Sequence, residues 1–420
     1  MTRPLNILYL STNDYGGAGL AFLKGAEASR KNGNDARVVV WDKRSDSSVS
    51  IGVYDHRKRI DKIILFLFHT VSSLYKRMIL RIPRTKYIFF DIQQNRVSAK
   101  KLLRLYGKKP DIILVGWVSD FVSNKTILQL KTMTGAKVVF IMTDNAPIGG
   151  GCHYPWDCQG YASNCYPCPA LRCSSHLAQK TLFFKRRYVS SDMIISGTGN
   201  DMKRARKSIV FKDCVHVVSS TLEPNPYEYD RSIGREMWTI ADNKYVIFCG
   251  AASVVDERKG FAQLVESLEL LKKKDISLEK IVVLVAGNES LQFPDGYDVR
   301  FLGRLSFEDL FKAYCCADLF VCPSLEDSGP MMINYGVMAY IPVVSFDMGV
   351  ASDIILHKEN GYIAKWKDCE DFAEGILYWY QKGFERVVLK SINNNLAEEI
   401  SETKSLQKYI DKVIVPYLKK

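Results

Sequence analysis

Short β-branched and apolar runs alternate with longer stretches of helical period along the chain, and the alternation occurs twice, which leaves few folds open. The run "NILYL" (6–10) is followed by the helical "AGLAFLKGAEASRK", which halts at Asn32-Gly33, and then by "ARVVVW" (36–41), a βαβ unit. "DIILVGW" (111–117), "KVVFIM" (137–142), "DMIIS" (192–196) and "VHVV" (215–218) read as further buried strands of one parallel sheet. "TLEPNPYEYD" (221–230), with two prolines and no periodicity, reads as a crossover between domains. The pattern then restarts with "YVIFCG" (245–250), "IVVLVAG" (281–287), "VRFLG" (299–303), "DLFVCPS" (318–324) and "IPVVSF" (341–346). The expected fold class is α/β, with two Rossmann-like doubly wound domains facing a central cleft. The expected limits are 1–225 and 240–398, with 399–420 a helix returning to the first domain. A length of 420 residues suits two such cores.

Hydrophobic content of 47% and charged content of 25% fit a globular chain and argue against a disordered or fibrous one. The N-terminal apolar run and "IILFLF" (63–68) are too short for an export signal or a bilayer span, so the expected location is the cytoplasm. The net charge of +12 requires phosphate-bearing partners. Part of it lies in 56–90, where Arg57, Lys58, Arg59, Lys62, Lys76, Arg77, Arg81, Arg84 and Lys86 interleave with apolar side chains against one acid, Asp61. Two readings of that segment have equal weight: a basic amphipathic helix on an anionic inner membrane face, or a helix packed on its own domain with a solvated basic face. No zinc-finger, RRM or basic-zipper signature is present, so nucleic acid is not an expected partner.

In doubly wound sheets ligands bind beyond the carboxyl ends of strands, so loops directly after strands are the candidate sites. "STNDYGGAG" (11–19) offers Gly16 and Gly17, whose amides can approach a phosphate or sugar closely, but it lacks the G-x-G-x-x-G spacing of a nicotinamide enzyme. "GAASVVDERKGF" (250–261) places Arg258 and Lys259 just before a helix start, where cations and backbone amides favour a diphosphate together. Glu326 and Asp327 directly follow a strand, where carboxylates accept bonds from sugar or ribose hydroxyls.

The segments "YGGAG", "RKGF", "VRFLG", "ADLFVCPSLEDSGPMMIN" and "IPVVSFDMGVASDII…NGYIA" together resemble the family 4 glycosyltransferases of GT-B fold found in bacterial polysaccharide biosynthesis. The block "CHYPWDCQGY…C..CPAL" is similar to one subgroup of them. The resemblance implies a retaining transfer that needs no metal or other cofactor for catalysis. The donor would be a UDP- or GDP-linked sugar and the acceptor a glycan or polyprenyl-linked glycan of capsule or lipopolysaccharide type. It makes Arg258 and Lys259 the diphosphate clamp, sets Gly16 and Gly17 beside the reaction centre, and lets Gly349 and Val350 present amides to the donor. The family's paired acids fall on Asp327 and Tyr335, and Tyr335 departs from the pattern because a phenol accepts ribose bonds less well than a carboxylate; Glu326 can share the role of Asp327. A second departure is Thr143-Asp144 where relatives carry His-Asp: Asp144 retains an acceptor-side role, while Thr143 brings no imidazole. These departures support an alternative, a catalytically weakened scaffold that binds nucleotide or glycan.

Cys152, Cys158, Cys165 and Cys168 crowd into one turn-rich loop and end in a C-x-x-C. Four thiolates at that density can close a tetrahedral zinc site, with His153 or Cys173 as substitutes for one ligand. Reduced thiols or a disulfide are the other readings. Cys249 and Cys322, inside strand patterns, read as core residues.

Overall fold

The computed structural model describes residues 3–171, 174–222, 227, 229–274, 276–288, 291–329, 331–403 and 406–415. Cys173 and part of the 221–230 crossover lie outside them.

The chain forms two compact units, one of Met1–Gly197, Asp201–Val218 and Tyr409–Lys420, the other of Thr198–Asn200 and Ser219–Lys408. The first is built on seven strands: β1 (Asn6–Asn13), β2 (Asp35–Lys43), β3 (Ser50–Asp55), β4 (Ile112–Val115), β5 (Lys137–Ile141), β6 (Ile194–Gly197) and β7 (Val215–Val218). Their order in the sheet is β3-β2-β1-β4-β5-β6-β7, and every pairing is parallel. The order reverses between β1 and β4, which opens the crevice at their carboxyl ends that a doubly wound sheet offers to ligands.

The second unit has six strands: β8 (Tyr245–Gly250), β9 (Ile281–Ala286), β10 (Asp298–Gly303), β11 (Leu319–Cys322), β12 (Val343–Phe346) and β13 (Gly361–Ala364). They lie in the order β10-β9-β8-β11-β12-β13, again all parallel, with the reversal between β8 and β11.

Strands such as β4 and β9 are buried along their whole length. A parallel strand covered by helices on both faces must be apolar throughout, which is why the sequence shows runs there and not alternation. Cys249 and Cys322 are buried in β8 and β11 as core residues. Two strands were not expected from the sequence. β3, "SIGVYD", is an edge strand of half-buried residues, and β13, "GYIA", is four residues long and opens on a glycine. Among the described residues no helix is long and apolar enough to cross a membrane.

Candidate active site

In the second unit the loop after β8 ends in a short 3-10 turn, Glu257–Lys259, that leads into helix Phe261–Leu271. Asp256 caps the turn by accepting from the Arg258 amide at 3.0 Å, and its other oxygen takes the Arg258 guanidinium. The carbonyl of Arg258 accepts the amides of Leu325 and Glu326 at 2.7 and 3.3 Å, so the loop after β8 is stitched to the loop after β11. Gly260 makes this approach possible. Its φ is +67°, and a Cβ there would stand 1.8 Å from the carbonyl oxygen of Pro323. Only glycine fits both the left-handed backbone and the gap.

The stitching brings Lys259 to Asp327: Nζ donates to Oδ2 at 2.6 Å, with each side chain about one-fifth exposed. Glu326, the adjacent acid, is buried. Arg258, Lys259, Glu326 and Asp327 therefore lie together at the carboxyl ends of the two central strands, as their positions in sequence lead one to expect.

The other second-unit candidates lie elsewhere on the same edge. Gly349 takes φ +52° and Val350 caps the four-residue helix Ala351–Ile354, both buried. Gly349's carbonyl accepts from the Asn200 side chain at 3.3 Å, and Asp353 accepts from the Gly199 amide at 2.8 Å and the Ser220 hydroxyl at 2.6 Å. Tyr335, on helix Met331–Met338, sets its ring against Phe307 and Phe311 at centroid distances of 5.5 and 5.4 Å. Its aromatic face is committed to packing, which accounts for a phenol where an acid was sought.

In the first unit, helix α1 (Gly16–Lys31) begins at Gly16 with φ +68°, and a Cβ at Gly16 or Gly17 would meet nothing within 4 Å. The open space leaves both amides accessible. Just before them, buried Asp14 accepts from the amide of Arg44 at 2.8 Å and from the hydroxyls of Ser45 and Ser50 at 2.6 and 2.8 Å. The glycines thus rest on a rigid base formed by the β2–β3 connection. The Thr12 amide donates to the Trp117 carbonyl at 2.6 Å, linking the end of β1 to the loop that follows β4.

Asp144, after β5, is buried with one oxygen on the Ala146 amide at 2.8 Å and the other 2.7 Å from Nδ1 of His153. The indole N–H of Trp117 also points at that nitrogen, at 3.3 Å. One nitrogen cannot accept from the indole and donate to the carboxylate at once. The shorter contact to a carboxylate prevails, so Nδ1 carries the proton and donates to Asp144. Nε2 is then an acceptor, buried and without a hydrogen-bond partner among the described residues. The imidazole ring stacks on Phe90 with centroids 4.0 Å apart. The imidazole missing at Thr143 is thus supplied from nine residues beyond Asp144. Sequence reasoning assigned His153 only as a substitute metal ligand; its place two residues after Gly149-Gly150-Gly151, a segment able to turn back on Asp144, was the available signal.

The loop that carries His153 is pinned by Lys185, whose buried ammonium donates to the carbonyls of Ala146 and Gly149 at 2.6 and 2.9 Å and pairs with Asp91 at 2.6 Å. Beyond it Cys152, Cys158, Cys165 and Cys168 all line one pocket with Tyr87 and Pro155. Burial pushes the Cys152 thiol up, helped by the neighbouring thiols of Cys165, Cys168 and Cys158. Burial raises Cys165 to about 11, opposed by a hydrogen bond from the Gly150 amide. Cys168 is raised by burial against bonds from the amides of Ala170 and Leu171, and the Gly160 amide donates to Cys158 at 3.4 Å. Among the described residues no group of three or more His, Cys, Asp or Glu side chains stands in an arrangement that could hold a metal ion.

Residues 243–382 match the family model described as glycosyl transferases group 1. An uncharacterized glycosyltransferase of Methanocaldococcus jannaschii is 24% identical over 193 residues, 42% of this chain and 48% of that protein. The alpha-galactosylglucosyldiacylglycerol synthase of Streptococcus pneumoniae is 26% identical over 185 residues, 41% of this chain and 46% of that one. These matches span about half the length of the curated relatives. Among solved structures, a glycosyltransferase from Rickettsia africae superposes with a TM-score of 0.59 at 14% identity, covering 100% of this chain and 99% of that one. Anabaena HepE in complex with UDP-glucose gives 0.53 at 13%, covering 99% of each. The chain accordingly has the GT-B fold of these structures, and its residues 243–382 match the group 1 glycosyl transferases.

Proposed function

We propose that the protein is a retaining glycosyltransferase that moves a hexosyl group from a nucleoside diphosphate to a glycan or polyprenyl-linked glycan acceptor at the cytoplasmic face of the membrane, in surface polysaccharide synthesis. The observation that carries this reading is the Lys259–Asp327 contact at 2.6 Å, seated where β8 and β11 end. Breaking the bond from the sugar to the diphosphate builds negative charge on the departing oxygen. A fixed ammonium with a neighbouring guanidinium at Arg258 stabilises that charge more than it stabilises the bound donor, which is the condition for catalysis. Asp327 and Glu326 are then the acceptors for donor hydroxyls, and the amides around Gly349 and Val350 serve the donor's polar edge. Gly16 and Gly17 are assigned to the donor at the border of the reaction centre, and the Asp144–His153 pair to the acceptor side.

HepE, with the same fold, holds UDP-glucose, which favours a uridine donor over a guanosine one. No step of this chemistry draws on a metal. The four clustered cysteines are proposed as a structural zinc site that closes only when the metal draws the sulfurs together, since as they stand among the described residues no three of them are so arranged. The shared pocket and the amides aimed at three of the sulfurs support it, because such donors favour thiolates.

The test is incubation of the purified protein with UDP- and GDP-sugars, reading release of nucleoside diphosphate and, by NMR, the anomer transferred. Release from one donor is expected. Failure to bind or split any of them would overturn the proposal. Binding without release would favour the scaffold reading, to which the packed ring of Tyr335 lends weight.

A further inference from the structure

We infer that helix α2 (Arg59–Leu74) with the π-helical turn Tyr75–Ile79 that continues it is a docking surface for an anionic lipid bilayer. The helix has two unlike faces. Inward, Leu65 is its one buried residue, Phe68 packs on Trp41 with centroids 5.0 Å apart, and Ser72 accepts from Arg96 at 3.0 Å. These positions, three and four apart, suffice to anchor it to the first unit.

Outward, a second stripe at helical spacing is apolar and faces solvent. Ile60 is 73% exposed, Leu67 56%, Val71 64% and Met78 71%, with Ile63 and Leu74 more than half exposed between them. A helix that shows its apolar stripe to water and packs through the opposite side is inverted relative to an ordinary surface helix, and monomeric proteins seldom leave a continuous patch of this kind uncovered.

Charge identifies what covers it. Arg59 and Lys62 flank the stripe at one end and Arg77 and Arg81 at the other, all exposed, and none of the four has an ion-pair partner among the described residues. The acid on the helix, Asp61, is turned away, accepting from the Asp55 amide at 2.8 Å. A second copy of the chain seated on this face would bring two such sets of cations together and be repelled. An anionic headgroup layer neutralises them while its acyl chains take the apolar stripe, the arrangement of a helix lying in the interface plane. The inference stands apart from the proposed transfer, since it uses no residue of that site.

The experiment is co-sedimentation of the full-length protein with vesicles of phosphatidylcholine alone and of phosphatidylcholine with phosphatidylglycerol, together with the mass in solution from light scattering. At least tenfold tighter binding to the anionic vesicles is expected, weakening as salt is raised. The double variant Leu67→Asp, Val71→Asp should lose at least tenfold of that binding with an unchanged melting temperature, because both side chains are exposed. The variant Arg77→Glu, Arg81→Glu should lose the preference for anionic lipid. Wild-type protein that ignores both vesicles, equal binding to both, apolar-face variants that bind as wild type, or a dimer dissolved by Leu67→Asp would each overturn the inference. Donor hydrolysis measured without lipid is unaffected by these variants, so failure here is distinct from failure of the transferase reading.

Discussion

Gly260→Ala tests whether the proposed donor site depends on the close approach of two loops. Alanine at φ +67° costs about 1–2 kcal/mol of left-handed strain. A Cβ placed 1.8 Å from the Pro323 carbonyl cannot be accommodated without moving backbone, and overpacking of this kind costs about 1–3 kcal/mol more. The sum, roughly 2–5 kcal/mol, corresponds at about 3 °C per kcal/mol to a fall of roughly 6–15 °C in the melting temperature of the second unit. Gly303 provides the control: its φ is +65°, yet a Cβ there would meet nothing within 4 Å. Gly303→Ala should lose only the backbone part, about 1–2 kcal/mol. Thermal unfolding of both variants isolates the contact with Pro323. Because that contact lies beside the amide bonds from Leu325 and Glu326 to Arg258, donor turnover of Gly260→Ala should fall along with stability. Equal melting temperatures for the two variants would refute the reasoning.

Lys259→Ala should lower kcat/KM for donor hydrolysis by about 10²–10³, as removal of one preorganised charge donor does elsewhere, with the circular dichroism spectrum unchanged; undiminished turnover would remove Lys259 from the site. His153→Ala removes one of the two hydrogen bonds to buried Asp144 and should cost about 1–3 kcal/mol in a denaturant melt, while His153→Asn, which keeps a donor, should recover part of that. Elemental analysis of the purified protein should return one zinc per chain, and Cys158→Ser with Cys168→Ser should abolish it and lower the melting temperature; protein free of zinc yet equally stable would leave the cysteines as buried thiols.

The fold was legible because a buried parallel strand is written as an uninterrupted apolar run, and β8 and β9 fall at the residues those runs mark. β3 was hidden because an edge strand has no need of such a run, and β13 because four residues carry too little pattern. Of the candidate site, the local part was readable: Arg258 and Lys259 end the loop between a strand and a helix, and Glu326 and Asp327 lie in the loop that follows a strand. Their pairing was not, since Lys259 and Asp327 are 68 positions apart and only the sheet order brings β8 beside β11. The Asp144–His153 pair escaped for a related reason: a ring delivered by a folded-back loop leaves no motif at Asp144 itself. The packing of Tyr335 could not be read because its ring partners, Phe307 and Phe311, come from a different helix.

The bond between Lys259 and Asp327 also gives the proposed donor site an internal competitor. An anion arriving at Lys259 must first displace a carboxylate already at 2.6 Å, so stray phosphate gains little, whereas a ligand whose sugar hydroxyls can satisfy the released Asp327 recovers the loss. In the proposed transfer, one ion pair would thereby make the cation responsive to the two ends of a donor together, and selectivity for a sugar joined to a diphosphate would begin before any chemistry.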